Sequence, residues 1–138
     1  MNATTAAKID AAQVPDGEPM EEVLPRHFGK YMLRLEDAVY SFARYLCPEL
    51  GTSRWRFYEL SNGGFYMAPT NASVTVRIHA NHFDRTMTGD AAGVTVCLYA
   101  LRQLATELRH DSMNRHYYQL DAFARQHEEA ELILAAAR

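Results

Sequence analysis

The sequence predicts an α+β domain, a four-stranded antiparallel β meander packed with three main α-helices. Apolar residues recur at spacings of three and four before Pro48 and again after Asp90, the signature of amphipathic helices. Between Arg54 and Thr88 the pattern changes to short alternating runs rich in β-branched and aromatic residues. The connections between those runs are too short for parallel crossovers, so neighbouring strands are antiparallel. Strands grouped between helices, rather than alternating with them, define the α+β class.

Residues 1–23 are rich in Ala, Thr, Asp, Glu, Gly and Pro without a sustained apolar period, and read as a flexible acidic leader. Residues 24–138 then form one domain. Its first helix runs from about Lys30 to Cys47, with Tyr31, Leu35, Ala38, Val39, Phe42 and Leu46 on one stripe. Pro48 disfavours helical geometry at Cys47 and ends it. Four strands follow in "RWRFYEL", "GFYMA", "SVTVRIHA" and "FDRTMT". Asn62-Gly63, between the first two, suits a type I′ turn because Asn tolerates and Gly readily adopts positive φ. Pairing across that turn places Arg54, Arg56, Tyr58, Leu60, Phe65 and Met67 on one face and Trp55, Phe57, Glu59, Tyr66 and Ala68 on the other. The stripe Val94, Cys97, Leu98, Leu101, Leu104, Ala105 and Leu108 marks the central helix, capped by Thr88 or Asp90. A last helix, capped by Asp111 or Ser112, is expected to run to about Ala135.

At 138 residues the chain is long enough for one domain with a core of its own. The opening residues lack a signal-peptide pattern and no run has the 18 or so apolar residues of a membrane span, so the expected compartment is the cytoplasm. Cys47 and Cys97 lie within separate helical stripes and read as buried free thiols. The Asn71–Ser73 sequon has no meaning without export. The net charge of −3 is unevenly placed: residues 1–24 carry five acids against one base, and residues 25–138 carry twelve against thirteen. A duplex-DNA mimic must reproduce about one negative charge per 1.7 Å of helix axis, which a balanced body cannot do.

"LSNGGFYMAP" (Leu60–Pro69) resembles an anion-binding nest, but its glycines join two strands rather than a strand to a helix N-terminus, and no Lys follows. Among the six histidines, His79 and His82 flank a turn, and His110 and His116 bracket the start of the last helix. Neither pair has a third ligand at zinc spacing, and the expectation is surface or capping roles with no metal or cofactor. No nucleophile motif appears, so no catalytic residue is assigned and an enzyme is not expected. "RWRFY", with Tyr66, Arg77 and Arg85, has the Arg–aromatic interleaving of a nucleic-acid surface. Neither sheet face is a clean basic stripe, and aromatics packed against helices with arginines at the edges fit the neutral body better.

The blocks "LPRHFGKYMLRLEDAVYSFARYLC", "WRFYELSNGGFYMAP", "DAAGVTVCLYALRQLA" and "RHYYQL" are similar, in this order, to the KlcA/ArdB antirestriction proteins of plasmids and other mobile elements. The resemblance spans about residue 24 to the last helix. It implies a small α+β inhibitor that relieves type I restriction-modification by binding rather than catalysis, without DNA mimicry, its partner being the host restriction enzyme, directly or indirectly. It implies neither a membrane nor a small-molecule substrate; a nucleic-acid-binding module of plasmid maintenance is the alternative. The expected contact surface is the exposed part of the motif, Arg54, Arg56, Ser61, Asn62 and Tyr66. Asn62, Gly63 and Gly64 also have a purely structural use in the turn.

Overall fold

The computed structural model describes residues 7–15, 27–50 and 53–137; residues 1–6 and 16–23 of the expected leader lie outside them. The described elements are β1 (Ala11–Gln13), α1 (Met32–Leu46), β2 (Trp55–Leu60), β3 (Phe65–Pro69), β4 (Val74–Ile78), β5 (Phe83–Met87), α2 (Gly89–Leu108), α3 (Asp111–Gln126) and α4 (Ala130–Ala136). This is the expected α+β class.

The first helix follows its stripe. Leu35, Val39, Ala43 and Leu46 are buried, and the chain leaves helical geometry at Cys47 immediately before Pro48. Thr88 caps α2, its hydroxyl oxygen accepting from the Ala91 amide, which leaves Asp90 in the first turn. The α3 cap is neither Asp111 nor Ser112 but His110, whose Nδ1 accepts from the Ser112 amide at 3.2 Å.

The four expected strands are all present and antiparallel, as two hairpins in separate sheets. One sheet has the order β1-β2-β3 and the other pairs β4 with β5. The physical reason lies in α2. Tyr66 and Ala68 of β3 pair with Tyr58 and Arg56 of β2, whereas the N–H and C=O of Met67 are engaged by the Cys97 thiol, at 3.5 and 3.4 Å. Helix α2 therefore runs along the strand edge that a continuous meander would have given to β4. Small residues one helical turn apart permit this approach. A Cβ built on Gly93 would lie 2.3 Å from the Ala68 Cβ and 2.6 Å from the Met67 carbonyl oxygen, and one on Gly89 would lie 2.2 Å from the Asn71 carbonyl oxygen.

Ala11–Gln13, within the expected flexible leader, forms strand β1 in register with Tyr58–Leu60. The expected single last helix is interrupted at His127, whose backbone is extended (ψ 149°) and whose Nδ1 accepts from the Glu129 amide, so that α3 and α4 are separate. The C-terminal carbonyls of α4 are tied down: Tyr99 Oη donates to Ala136 at 2.6 Å, Arg102 to Ala137 at 2.7 Å, and Asn81 Nδ2 to Ala136 at 3.1 Å. The core is built around β3, where Phe65, Tyr66, Met67 and Ala68 are all buried, and around α2, where Val94, Leu98, Leu101 and Leu104 are.

Candidate functional site

The β2–β3 hairpin carries the sequence motif and is the natural place to assemble the site. Its turn is not type I′. Leu60 pairs through its amide with the Gly64 carbonyl, leaving Ser61, Asn62 and Gly63 as a three-residue loop. Only Gly63 of these has positive φ, 92°. This is a turn closed by a left-handed glycine bulge, one residue longer than the expected loop. The register consequently shifts by one: Tyr58 faces Tyr66, and Phe57 faces Met67. Met67 and Phe65, expected opposite Tyr58 and Leu60 respectively, are on the other face.

Ser61 and Asn62 are committed to the protein's own architecture. The Asp10 amide donates to Ser61 Oγ and the Ser61 amide to the Asp10 carbonyl, both at 2.9 Å, which clasps β1 to the turn. Gln126 completes the clasp, accepting from the Ile9 amide and donating to the Ala7 carbonyl. Asn62 Oδ1 accepts from the Gly64 amide, and Nδ2 donates to the Gln119 carbonyl of α3. Gly64 is buried beneath this joint, where a Cβ would meet Leu60 and Gln119 at 2.9–3.0 Å.

Tyr66, expected to be exposed, is 1% exposed. Its ring stacks between Tyr58 (4.8 Å) and Phe123 (5.4 Å), and its hydroxyl donates to Asp90 Oδ1 at 2.7 Å. The other Asp90 oxygen accepts from His127 Nε2, also at 2.7 Å. Burial pushes the Asp90 carboxyl up, but the His127 and Tyr66 hydrogen bonds outweigh it and hold the group below its ordinary range. Burial foremost, then the bond to Asp90, drives the Tyr66 phenol far upward. His127 Nδ1 accepts from the Glu129 amide, so the proton given to Asp90 is the one on Nε2. This network lines an open cleft of about 460 Å³ with Phe123, Thr88 and Glu129. The hydroxyl of Thr88 is bonded to Glu129, and the arrangement joins α2, α3 and β3 rather than activating a nucleophile.

Arg54 and Arg56 are exposed. Neither guanidinium is held by a hydrogen bond or ion pair among the described residues. The aromatics adjoining them are occupied internally: Trp55 meets Tyr40 edge-on at 5.6 Å, and Phe57 stacks on Phe65 at 6.2 Å. They form no free stacking platform for bases. Of the five expected contact residues, the structure thus leaves the arginine pair available and uses Ser61, Asn62 and Tyr66 as joints.

His79 and His82 are exposed at the β4–β5 turn, whereas His116 is buried. Among the described residues no three His, Cys, Asp or Glu side chains are grouped to hold a metal. Cys47 and Cys97 are buried and free, with burial pushing both thiols up to about 12, which leaves them protonated and unreactive. No helix among the described residues is long and apolar enough to cross a membrane. Sequence reasoning missed Gln119, Asp90 and His127 as partners of the motif. Only the four-residue spacing of Gly89, Gly93 and Cys97 was a readable signal.

Comparison with known proteins agrees with this architecture. Residues 48–137 match the family model described as antirestriction protein. Over 93% of this chain and 92% of its own, the Escherichia coli antirestriction protein KlcA is 40% identical. The Escherichia coli K12 protein YafX is 36% identical over 92% of this chain and 86% of its own. A solved structure, reported with KlcA and ArdB as a novel fold having antirestriction activity against type I DNA restriction systems in vivo but not in vitro, superposes with a TM-score of 0.88. It is 36% identical, and each chain is covered completely. The chain belongs to the antirestriction protein family.

Proposed function

We propose that this protein relieves type I restriction, letting unmodified DNA survive in a restricting host, and that it does so by binding rather than by chemistry. The observation that carries this reading is the end-to-end agreement in fold and sequence with a relative active against type I systems in vivo. It acts in the cytoplasm, as one domain in which strand β1 of the expected leader joins residues 24–138.

The mechanism is not imitation of DNA. Twelve acids against thirteen bases in residues 25–138 supply no continuous negative field. Arg54 and Arg56 are the contact positions, because they are exposed on the motif and no described residue holds either guanidinium. The absence of activity in vitro for the relative supports a target state or accessory component present in the cell, reached directly or through a host factor.

The test is the plating of unmodified phage on matched hosts with and without a type I system, each expressing this protein. Increased plating confined to the restricting host is the expected result. Equal plating with and without the protein in that host refutes the reading, and salt-sensitive retention on DNA would favour the nucleic-acid-binding alternative.

A further inference from the structure

The two buried or near-buried histidines that link three separate parts of the chain form a linear relay. His116 Nδ1 lies 3.0 Å from the Ser112 carbonyl, His116 Nε2 lies 3.4 Å from His27 Nδ1, and His27 Nε2 lies 2.7 Å from the Glu59 carboxylate. Both ends of the relay are acceptors. Three contacts therefore require three N–H groups, and two neutral imidazoles carry only two. We propose that His27 and His116 hold one extra proton between them, forming a cationic clamp that fastens the His27–Phe28 segment to β2 and α3 and loosens when that proton is lost or a second is gained.

The placement of the charge follows from the surroundings. The Ser112 carbonyl fixes the proton of His116 on Nδ1, so Nε2 is the acceptor and His27 donates at both nitrogens. Burial holds His116 below the ordinary imidazole range, with the bond to Ser112 opposing this and His27 and Arg115 adding to it. Glu59 of β2 is the carboxylate facing His27 and places the charge on that ring. Among the described residues the rings also meet aromatic neighbours: Phe65 of β3 lies 5.1 Å from the His27 ring, and Phe28 lies 4.4 Å from the His116 ring.

The proton count gives a distinctive pH dependence. The closed clamp binds one proton, whereas the opened pair binds two below about pH 6.5 and none above it. Closure is therefore strongest near that pH and weakens on both sides, by about tenfold per pH unit where the difference is a full proton.

Long-range imidazole ¹H–¹⁵N spectra of the full chain near pH 6.5 test this. The expected pattern is His27 protonated at both nitrogens and His116 at Nδ1 alone; a singly protonated His27 at that pH overturns the proposal. In Glu59→Gln the amide can donate to His27 Nε2, so the pair closes without the extra proton. His27 in that variant should lose its second proton at lower pH, and exchange of the Phe28 amide, corrected for intrinsic rates, should lose its rise above pH 6.5. Identical titration of His27 in the two proteins contradicts the clamp.

Discussion

Asn62 and Gln119 are joined in both directions across the gap between the β2–β3 turn and α3. Asn62 Nδ2 donates to the Gln119 carbonyl at 2.9 Å, and Gln119 Nε2 donates to the Asn62 carbonyl at the same distance. Since Asn62 Oδ1 also accepts from Gly64, one side chain both shapes the loop and docks it on the helix. Asn62→Ala is expected to lower stability by about 2 kcal/mol in urea unfolding, through two lost bonds and the buried Gly64 amide left without its acceptor. Asn62→Asp, which keeps the Gly64 bond but cannot donate to Gln119, should fall between the two.

Gly93 is the closest point between α2 and β3. Gly93→Ala places a methyl group against the Ala68 Cβ and the Met67 carbonyl, atoms that do not yield without moving the strand. A loss of about 3 kcal/mol is expected, despite the higher helix propensity of Ala. Urea unfolding checks it, and a stabilised variant would show that α2 does not sit on the strand edge.

These two positions show what the sequence could and could not disclose. The helical stripes of α1 and α2 and the alternation of the strands are local patterns, and they were legible. The Asn-Gly pair marked the turn but not its length, because a three-residue loop closed by Gly63 uses the same residues as a two-residue one. That single residue reversed the facing of β3. The break at His127 had no glycine or proline to announce it; it depends on Asp90, 37 positions away, accepting from the ring. Tyr66 read as a surface aromatic because alternation assigns it a face without saying that both faces of β3 are covered. Arg54 and Arg56 are exposed, as expected, since none of the described residues holds either guanidinium.

The Asp90 network should appear in the acid limb of stability. A carboxyl held below its ordinary value stabilises the fold fully at neutral pH. That contribution fades as pH drops below about 3.9, the unfolded value, and is gone below the folded one. Asp90→Asn should therefore be less stable than the parent at pH 7, with the gap narrowing toward pH 2. Tyr66→Phe should cost about 2 kcal/mol at pH 7 through loss of a bond to a charged acceptor, and urea titrations at the two pH values measure both effects.

The β1 clasp should be separable from the rest of the fold. Ser61→Ala removes the acceptor for the Asp10 amide while leaving the β2–β3 ladder intact. Amide exchange at Asp10 is expected to accelerate by about fivefold, corresponding to a hydrogen bond of about 1 kcal/mol, with little change at Tyr58 or Tyr66.

The most direct measurement is plating efficiency of unmodified phage on restricting and non-restricting hosts expressing the parent protein or Arg54→Ala/Arg56→Ala, with thermal unfolding of both proteins as the control. The parent should raise plating only in the restricting host, and the double variant should unfold at the same temperature yet lose most of that relief. No relief by the parent in the restricting host would contradict the function, and full relief by the double variant would contradict the arginine pair as its contact surface.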